Sequence, residues 1–210
     1  MKITVFGASS PIGFEIVKQA LYKEQIVMAV DRNTISTKFP DSELLETISG
    51  SLFDEAQLAK AIVNADAVIF ALSPSSMESN NSRSLGIKKL VNIMAQKAVK
   101  RLIVISDASV IPSTDKGGLM INEAVYREKG LELGDEYFLV KQTLAASALN
   151  WTMVCVDKLN TAAPNGNFAE VTDSHVEDLG SSSTGNVAIA SLNAVMKNEY
   201  VKQTILIKDR

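Results

Sequence analysis

Short apolar runs alternate with longer amphipathic stretches along the whole chain. Residues 3–6, 26–30, 44–48, 67–71, 102–105, 152–156 and 204–207 are nearly continuous in apolar side chains, as strands covered on both faces should be. Between them, apolar positions recur at helical spacing. Ile12, Ile16, Val17, Ala20 and Leu21 form one stripe, Ile87, Leu90, Val91, Met94, Ala95 and Ala98 a second, and Val187, Ile189, Leu192, Val195 and Met196 a third. Repeated strand–helix–strand units predict an α/β fold, a doubly wound parallel sheet with helices on both faces.

Two polar stretches break this rhythm. Residues 73–84 are rich in Ser and Asn, and residues 157–183 hold Pro164-Asn165-Gly166-Asn167. Each follows the carboxyl end of a predicted strand, where open α/β sheets bind ligands. The second is expected to be a substrate-side loop region forming a small C-terminal lobe.

Composition narrows the class. With 210 residues, 46% hydrophobic and 21% charged, the chain fits one globular domain spanning 1–210 and excludes a disordered or fibrous protein. One cysteine, Cys155, and one histidine, His175, exclude an intrachain disulfide and a multi-residue Cys/His metal site, so no metal is expected. The flanking Val154 and Val156 mark Cys155 as a buried, inert thiol. His175 reads as a surface residue. The net charge of -3 and the lack of a basic stripe argue against a nucleic-acid partner. The first strand begins at once, without a signal peptide, and no run approaches the ~20 apolar residues of a membrane helix. A soluble cytoplasmic protein with no membrane partner is the expectation.

The first strand ends in Phe6-Gly7-Ala8-Ser9-Ser10-Pro11-Ile12-Gly13 and runs into a helix. In a Rossmann-like dinucleotide site one glycine makes the tight turn, a second lets the pyrophosphate approach, and a third lets helix pack on strand. Gly7 and Gly13 fill the outer roles. Ser10 takes the middle one, where its Cβ narrows the approach while its hydroxyl could donate to a phosphate oxygen. Pro11 suits the first helical position. Gly7, Ser9, Ser10, Pro11, Ile12 and Gly13 are the candidate pyrophosphate contacts, with free amides at the helix start facing the phosphates.

The chain resembles the atypical short-chain dehydrogenases/reductases, in particular the NmrA-like proteins and the NADH-flavin reductases of the biliverdin reductase B type. Further matches carry the resemblance. Gly50-Ser51-Leu52-Phe53-Asp54 resembles the family's turn after strand three, with Ser51 in place of an acidic residue facing the adenine. Asp66-Ala67-Val68-Ile69-Phe70 resembles strand four, Val99 to Ser106 strand five, and Leu149-Asn150-Trp151-Thr152-Met153-Val154 strand six. The family continues strand six as Arg-Pro-Gly, whereas this chain has Cys155-Val156-Asp157. The resemblance implies an NAD(P) cofactor, with Ser51, Leu52, Ala71, Leu72 and Ser73 joining the cofactor site.

Tyr137 and Lys141 fit the superfamily's Tyr-x-x-x-Lys acid/base pair and share a helical face. In that role the lysine would hold the nicotinamide ribose and lower the tyrosine pKa. Lys141 falls among Tyr137, Val140, Leu144, Ala145 and Ala148, so it needs a partner or must snorkel. Measured from Trp151, however, it is Tyr137 that stands at the family's lysine position. A full pair and Lys141 as a ligand contact alone both stay open. The superfamily's serine maps onto Asp107 or Ala108, which argues against classical alcohol chemistry; Ser106 remains a candidate to line the nicotinamide site.

Two functions are compatible with these residues. One is an NAD(P)H-dependent oxidoreductase that reduces a flavin, a quinone or a similar small acceptor, chemistry that needs no dedicated side-chain acid. Only 54 residues follow strand six, too few for the substrate domain of a nucleotide-sugar enzyme. The other is a non-catalytic NAD(P)-binding sensor of the NmrA-like kind. For the cofactor, Asp31 at the end of strand two lies 18 residues beyond Gly13, near the ~20 of ribose-binding acids, and favours NAD. Arg32 stands where relatives accept a 2′-phosphate, and argues for NADP.

Overall fold

Strand β1 (Lys2–Phe6) is buried from Ile3 to Phe6, so it must lie inside a sheet. Strands β2 (Ile26–Asp31) and β4 (Ala67–Phe70) flank it, both parallel to it. The computed structural model describes residues 1–32, 39–71, 82–112, 119–120, 131–172 and 179–210, the side chains of 131–133 excepted. With β3 (Leu45–Ser49), β5 (Arg101–Asp107), β6 (Asn150–Val156), β8 (Phe168–Val171) and β10 (Gln203–Asp209), the sheet has eight strands in the order β3-β2-β1-β4-β5-β6-β10-β8. The order reverses between β1 and β4, which opens a crevice at their carboxyl ends.

Helices cover both faces, as the apolar stripes predict. On one side lie α2 (Glu55–Ala61), α3 (Ser82–Gln96) and α4 (Leu131–Ala145), packed through Leu58, Ile87, Leu90, Met94, Val140 and Leu144. On the other lie α1 (Pro11–Tyr22) and α5 (Thr184–Met196), packed through Ile16, Val17, Ala20, Val187, Leu192 and Val195. Strand β5 shows why its sequence is continuously apolar: Leu102 and Val104 face the first layer, Ile103 and Ile105 the second.

The sheet departs from the expected parallel arrangement at one edge, where β8 pairs antiparallel with β10. Strand β8 comes from the stretch read as a polar loop. So do β7 (Lys158–Asn160) and β9 (Ser181–Ser183), which pair in parallel with each other. All three strands are short, and none is fully buried, so no apolar run announces them. The turn between β7 and β8 is exposed but anchored. The buried Asn186 side chain accepts from the Asn165 and Gly166 amides at 3.1 and 3.0 Å and donates to Asn165 Oδ1 and Asp209 Oδ1, both at 2.8 Å. The contact is so close that a Cβ on Gly185 would lie 2.4 Å from the Pro164 nitrogen.

Opposite the crevice, at the amino ends of the strands, Arg101 is buried with no carboxylate partner among the described residues. Its Nη1 donates to the Asn150 carbonyl and Thr152 Oγ1, and its Nη2 to the carbonyls of Ala194 and Glu199, at 2.7–2.9 Å. Burial brings its pKa down to about 10.

Candidate functional site

The turn after β1 is held by its own backbone. Gly7 has φ +76°, a conformation that favours glycine. Its carbonyl accepts from the Ser10 amide at 3.0 Å. Gly13 lies against this turn so closely that a Cβ would stand 2.1 Å from the Gly7 oxygen. The two glycines therefore do what the sequence spacing predicts: one makes the turn, the other lets α1 pack on it.

Ser10 behaves differently from expectation. It is the N-cap of α1, its Oγ accepting from the Gly13 amide at 3.0 Å, and the same hydroxyl donates to the Ala71 carbonyl at 2.6 Å. Its proton is thus committed inside the protein rather than available to a phosphate. Most of the turn's amides are committed too. Gly7 and Ala8 donate to Val30 O, Ser9 to Asp31 Oδ2, Ser10 to Gly7 O, Gly13 to Ser10 Oγ and Phe14 to Ser10 O. Pro11 has no N–H, so Ile12 carries the one amide of this run without a hydrogen bond among the described residues. The expected row of free amides is therefore a single N–H at the positive end of α1.

Asp31 closes β2 beside this turn. One carboxylate oxygen accepts from the Ser9 amide at 3.0 Å and the other from the Arg32 amide at 2.7 Å. A carboxylate oxygen has a second lone pair, so ribose hydroxyls could still be received. Ser51 and Leu52, expected at the adenine, are held locally. The Ser51 amide donates to Gln57 Oε1 at 2.7 Å and its hydroxyl accepts from Phe53 N at 3.2 Å. Leu52 packs on the first core layer, against Gly86. Leu72, Ser73 and His175 lie outside the described residues.

A second group of residues gathers at the carboxyl ends of β5 and β6. Ser106 is buried and donates to the Asp107 carbonyl at 3.0 Å; its partner in register on β6 is Cys155. Asp107, at the superfamily's serine position, caps a 3-10 turn, Ala108–Val110, by accepting from the amide and hydroxyl of Ser109. Burial raises its pKa against the lowering effect of these bonds and of the Arg83 charge. Tyr137 and Lys141 do come from one helix, α4, but not as a coupled acid and base. Tyr137 is buried, and burial pushes its phenol up to about 12, so the expected lowering by lysine is absent. The Lys141 ammonium donates to the Val110 carbonyl at 2.7 Å, and burial lowers its pKa. The partner this lysine needs is thus a backbone oxygen. Cys155 is fully buried, its thiol pushed up to about 12, in keeping with an inert residue.

Arg83 completes this group and is not among the residues singled out from the sequence. It lies in the first turn of α3, is 3% exposed, and sets its guanidinium carbon 4.5 Å from the centre of the Tyr137 ring. Its neighbour Ser84 is bound through N and Oγ by Glu136, each bond 2.9 Å. A signal was present: Arg83 stands four residues before Ile87 and seven before Leu90, so the α3 stripe extended back one turn lands on it. Among the described residues no group of His, Cys, Asp and Glu could hold a metal ion, and no helix is long and apolar enough to cross a membrane.

The turn fits a dinucleotide by its own geometry: a positive-φ glycine, a helix N-terminus with an open amide, and a carboxylate at the end of β2, all beside the sheet's switch point. Comparison with known proteins agrees. The profile of the NAD(P)H-binding family matches residues 7–198, and the chain belongs to that family. No curated protein matches the sequence. Solved structures share the fold at low identity. A short-chain dehydrogenase/reductase of Veillonella parvula in complex with NADP superposes with a TM-score of 0.79 at 17% identity, covering 99% of this chain and 94% of that one. A candidate NADH-flavin reductase of Streptococcus pneumoniae gives 0.82 at 18%, covering 100% of both chains. An oxidoreductase of Lactococcus lactis gives 0.81 at 18%, covering 100% of this chain and 91% of that one. An NAD(P)-binding Rossmann-like domain is thereby established, in line with the resemblance to the atypical short-chain dehydrogenases/reductases.

Proposed function

We propose that the protein is an NAD(P)H-dependent oxidoreductase that delivers hydride to a flavin, a quinone or a similar small acceptor. The observation that carries this reading is the state of Tyr137. Tyr137 is buried and the Lys141 ammonium beside it is bonded to the Val110 carbonyl; a phenol so placed, its pKa raised by burial, is a poor proton donor to a carbonyl. Acceptors that store the electron pair in a delocalised ring and take protons from water do not need one. The bound dinucleotide would supply the hydride. The Gly7–Gly13 turn would hold its pyrophosphate and Asp31 its adenosine ribose, with Ser106 and Lys141 beside the nicotinamide. The likeness to a candidate NADH-flavin reductase supports the acceptor class. Asp31 favours NAD over NADP, since its carboxylate repels a 2′-phosphate. A reducing cytoplasmic setting suits the single buried thiol.

One observation favours a second reading, a dinucleotide-binding sensor without turnover: all but one of the turn's amide donors are satisfied internally, which weakens the grip on a pyrophosphate. The deciding experiment is oxidation of NADH and NADPH with a panel of flavins and quinones, alongside direct titration of both dinucleotides. Turnover supports the reductase. Dinucleotide binding without turnover on any acceptor supports the sensor.

A further inference from the structure

A groove of about 620 Å³ runs between the carboxyl half of α3 and the end of α4, a size within the range of small-molecule sites. Lys100 and Leu149 line it. They immediately precede β5 and β6, so the groove lies at the amino ends of the strands, away from the crevice. Its walls are short side chains, with exposed Ala95 on one helix and exposed Ala146 just past the other. Its floor is apolar, with Met94, Val99 and Leu149 buried beneath. Alanine at the walls is what keeps the groove open, since a large side chain at either position would fill it.

The polar groups decide what such a groove can take. The hydroxyls of Thr143 and Ser147 donate to the carbonyls of Leu139 and Leu144 at 3.0 and 2.7 Å, so their protons are spent within the chain. Two ammonium groups remain, on Lys88 and Lys100. Neither side chain makes a hydrogen bond or ion pair among the described residues, whereas the adjacent Lys89 pairs with Glu55 at 3.2 Å. No carboxylate lines the groove among the described residues. A protein of net charge -3 thus keeps two cations without counter-charge beside one apolar trough.

We propose that this groove is a second binding site, for a medium-chain alkyl carboxylate: the chain lies between Ala95 and Ala146, and the head group is held by Lys88 and Lys100. Burial of the chain supplies the affinity, and the lysines select the head group. A second copy of the protein is a poorer fit. On a two-fold axis through the groove it would set the same two cations against each other. The site is separate from the crevice and does not depend on how the dinucleotide is used.

The test is calorimetric titration of the whole protein with octanoate, decanoate and dodecanoate below their micelle concentrations, with decanol as the uncharged comparison. One site per chain is expected, tightening about fourfold for each added methylene until the groove is filled. Lys88→Gln combined with Lys100→Gln should weaken decanoate at least tenfold and leave decanol unchanged. Ala146→Trp, at an exposed position, should abolish binding of both, with the melting temperature and the dinucleotide titration as in wild type. A wild type that binds none of the three carboxylates would overturn the proposal. So would wild-type decanoate affinity in Ala146→Trp, which puts the carboxylate elsewhere, or in the double lysine variant, which removes the head-group contact. A wild type that sediments as a dimer, with Ala146→Trp a monomer, would also overturn it and give the groove to a second copy.

Discussion

The Ser10 hydroxyl and the Ala71 carbonyl meet at 2.6 Å, tying the turn after β1 to the end of β4 across the crevice between them. Because the same oxygen caps α1, Ser10→Ala removes a cap and a cross-strand tie together. A loss of about 1–2 kcal/mol of stability is expected, measurable by urea unfolding. Ser10→Gly should show a similar loss, with dinucleotide affinity reduced rather than improved. A tighter-binding Ser10→Gly variant would mean that the side chain obstructs the phosphates after all.

Gly13 is a folding position before it is a binding one. A Cβ there would stand 2.1 Å from a backbone oxygen and 2.9 Å from the Gly7 carbonyl carbon, and neither can move without opening the turn. Gly13→Ala is expected to cost about 3 kcal/mol, near the upper end for overpacking, and Gly13→Val to prevent folding. Circular dichroism and thermal melting decide the point: a native-like melt for Gly13→Val would show that α1 can lift away from the turn.

Asp31 both supports the turn and faces the expected ribose site. Asp31→Asn removes the negative charge and keeps one acceptor oxygen for the Ser9 amide, at the cost of the bond from the Arg32 amide. NADP affinity should rise about tenfold, equivalent to ~1.4 kcal/mol, with NAD affinity nearly unchanged and the melting temperature modestly lowered by the lost bond. A wild type that already prefers NADP tenfold would show that Arg32 outweighs the carboxylate.

Alkaline pH should expose the cost of the buried acids. Burial pushes the Cys155 thiol from its usual 9.0 and the Tyr137 phenol from its usual 10.0, each up to about 12. The native state therefore holds protons that the unfolded chain releases. Their contribution is complete below about pH 9 and is lost as pH rises toward about 12. Urea midpoints should fall as pH rises above about 9, and the fall should be shallower in Cys155→Ala. An identical slope in that variant would assign the alkaline loss to other groups.

The core and the first turn were legible in the sequence because their signals are local. Continuous apolar runs such as 102–105 need burial on both faces, and Gly7 and Gly13 flag a turn that tolerates no side chain. The short strands β7, β8 and β9 were not legible: three or four residues make a strand only when a partner supplies the ladder, β10 for β8 and β7 and β9 for each other. Ser10 and Lys141 show the same limit at the site. Their partners, Ala71 O and Val110 O, are backbone oxygens 61 and 31 residues away, and no residue type announces a carbonyl. Arg83 was hidden for another reason: its polar neighbours Ser82 and Ser84 disguise the first turn of a helix as a loop.

Arg101 sets an order on the making of the molecule. Its guanidinium sits at the start of a central strand, yet three of its four acceptors are carbonyls of residues 150, 194 and 199. A chain emerging from its amino end can pair β1, β2 and β4 early, but burying that cation before its acceptors arrive would be prohibitively unfavourable. The middle of the sheet therefore cannot be sealed until the chain through Glu199 has been added, and removal of residues 199–210 would be felt at the centre of the domain rather than at its edge.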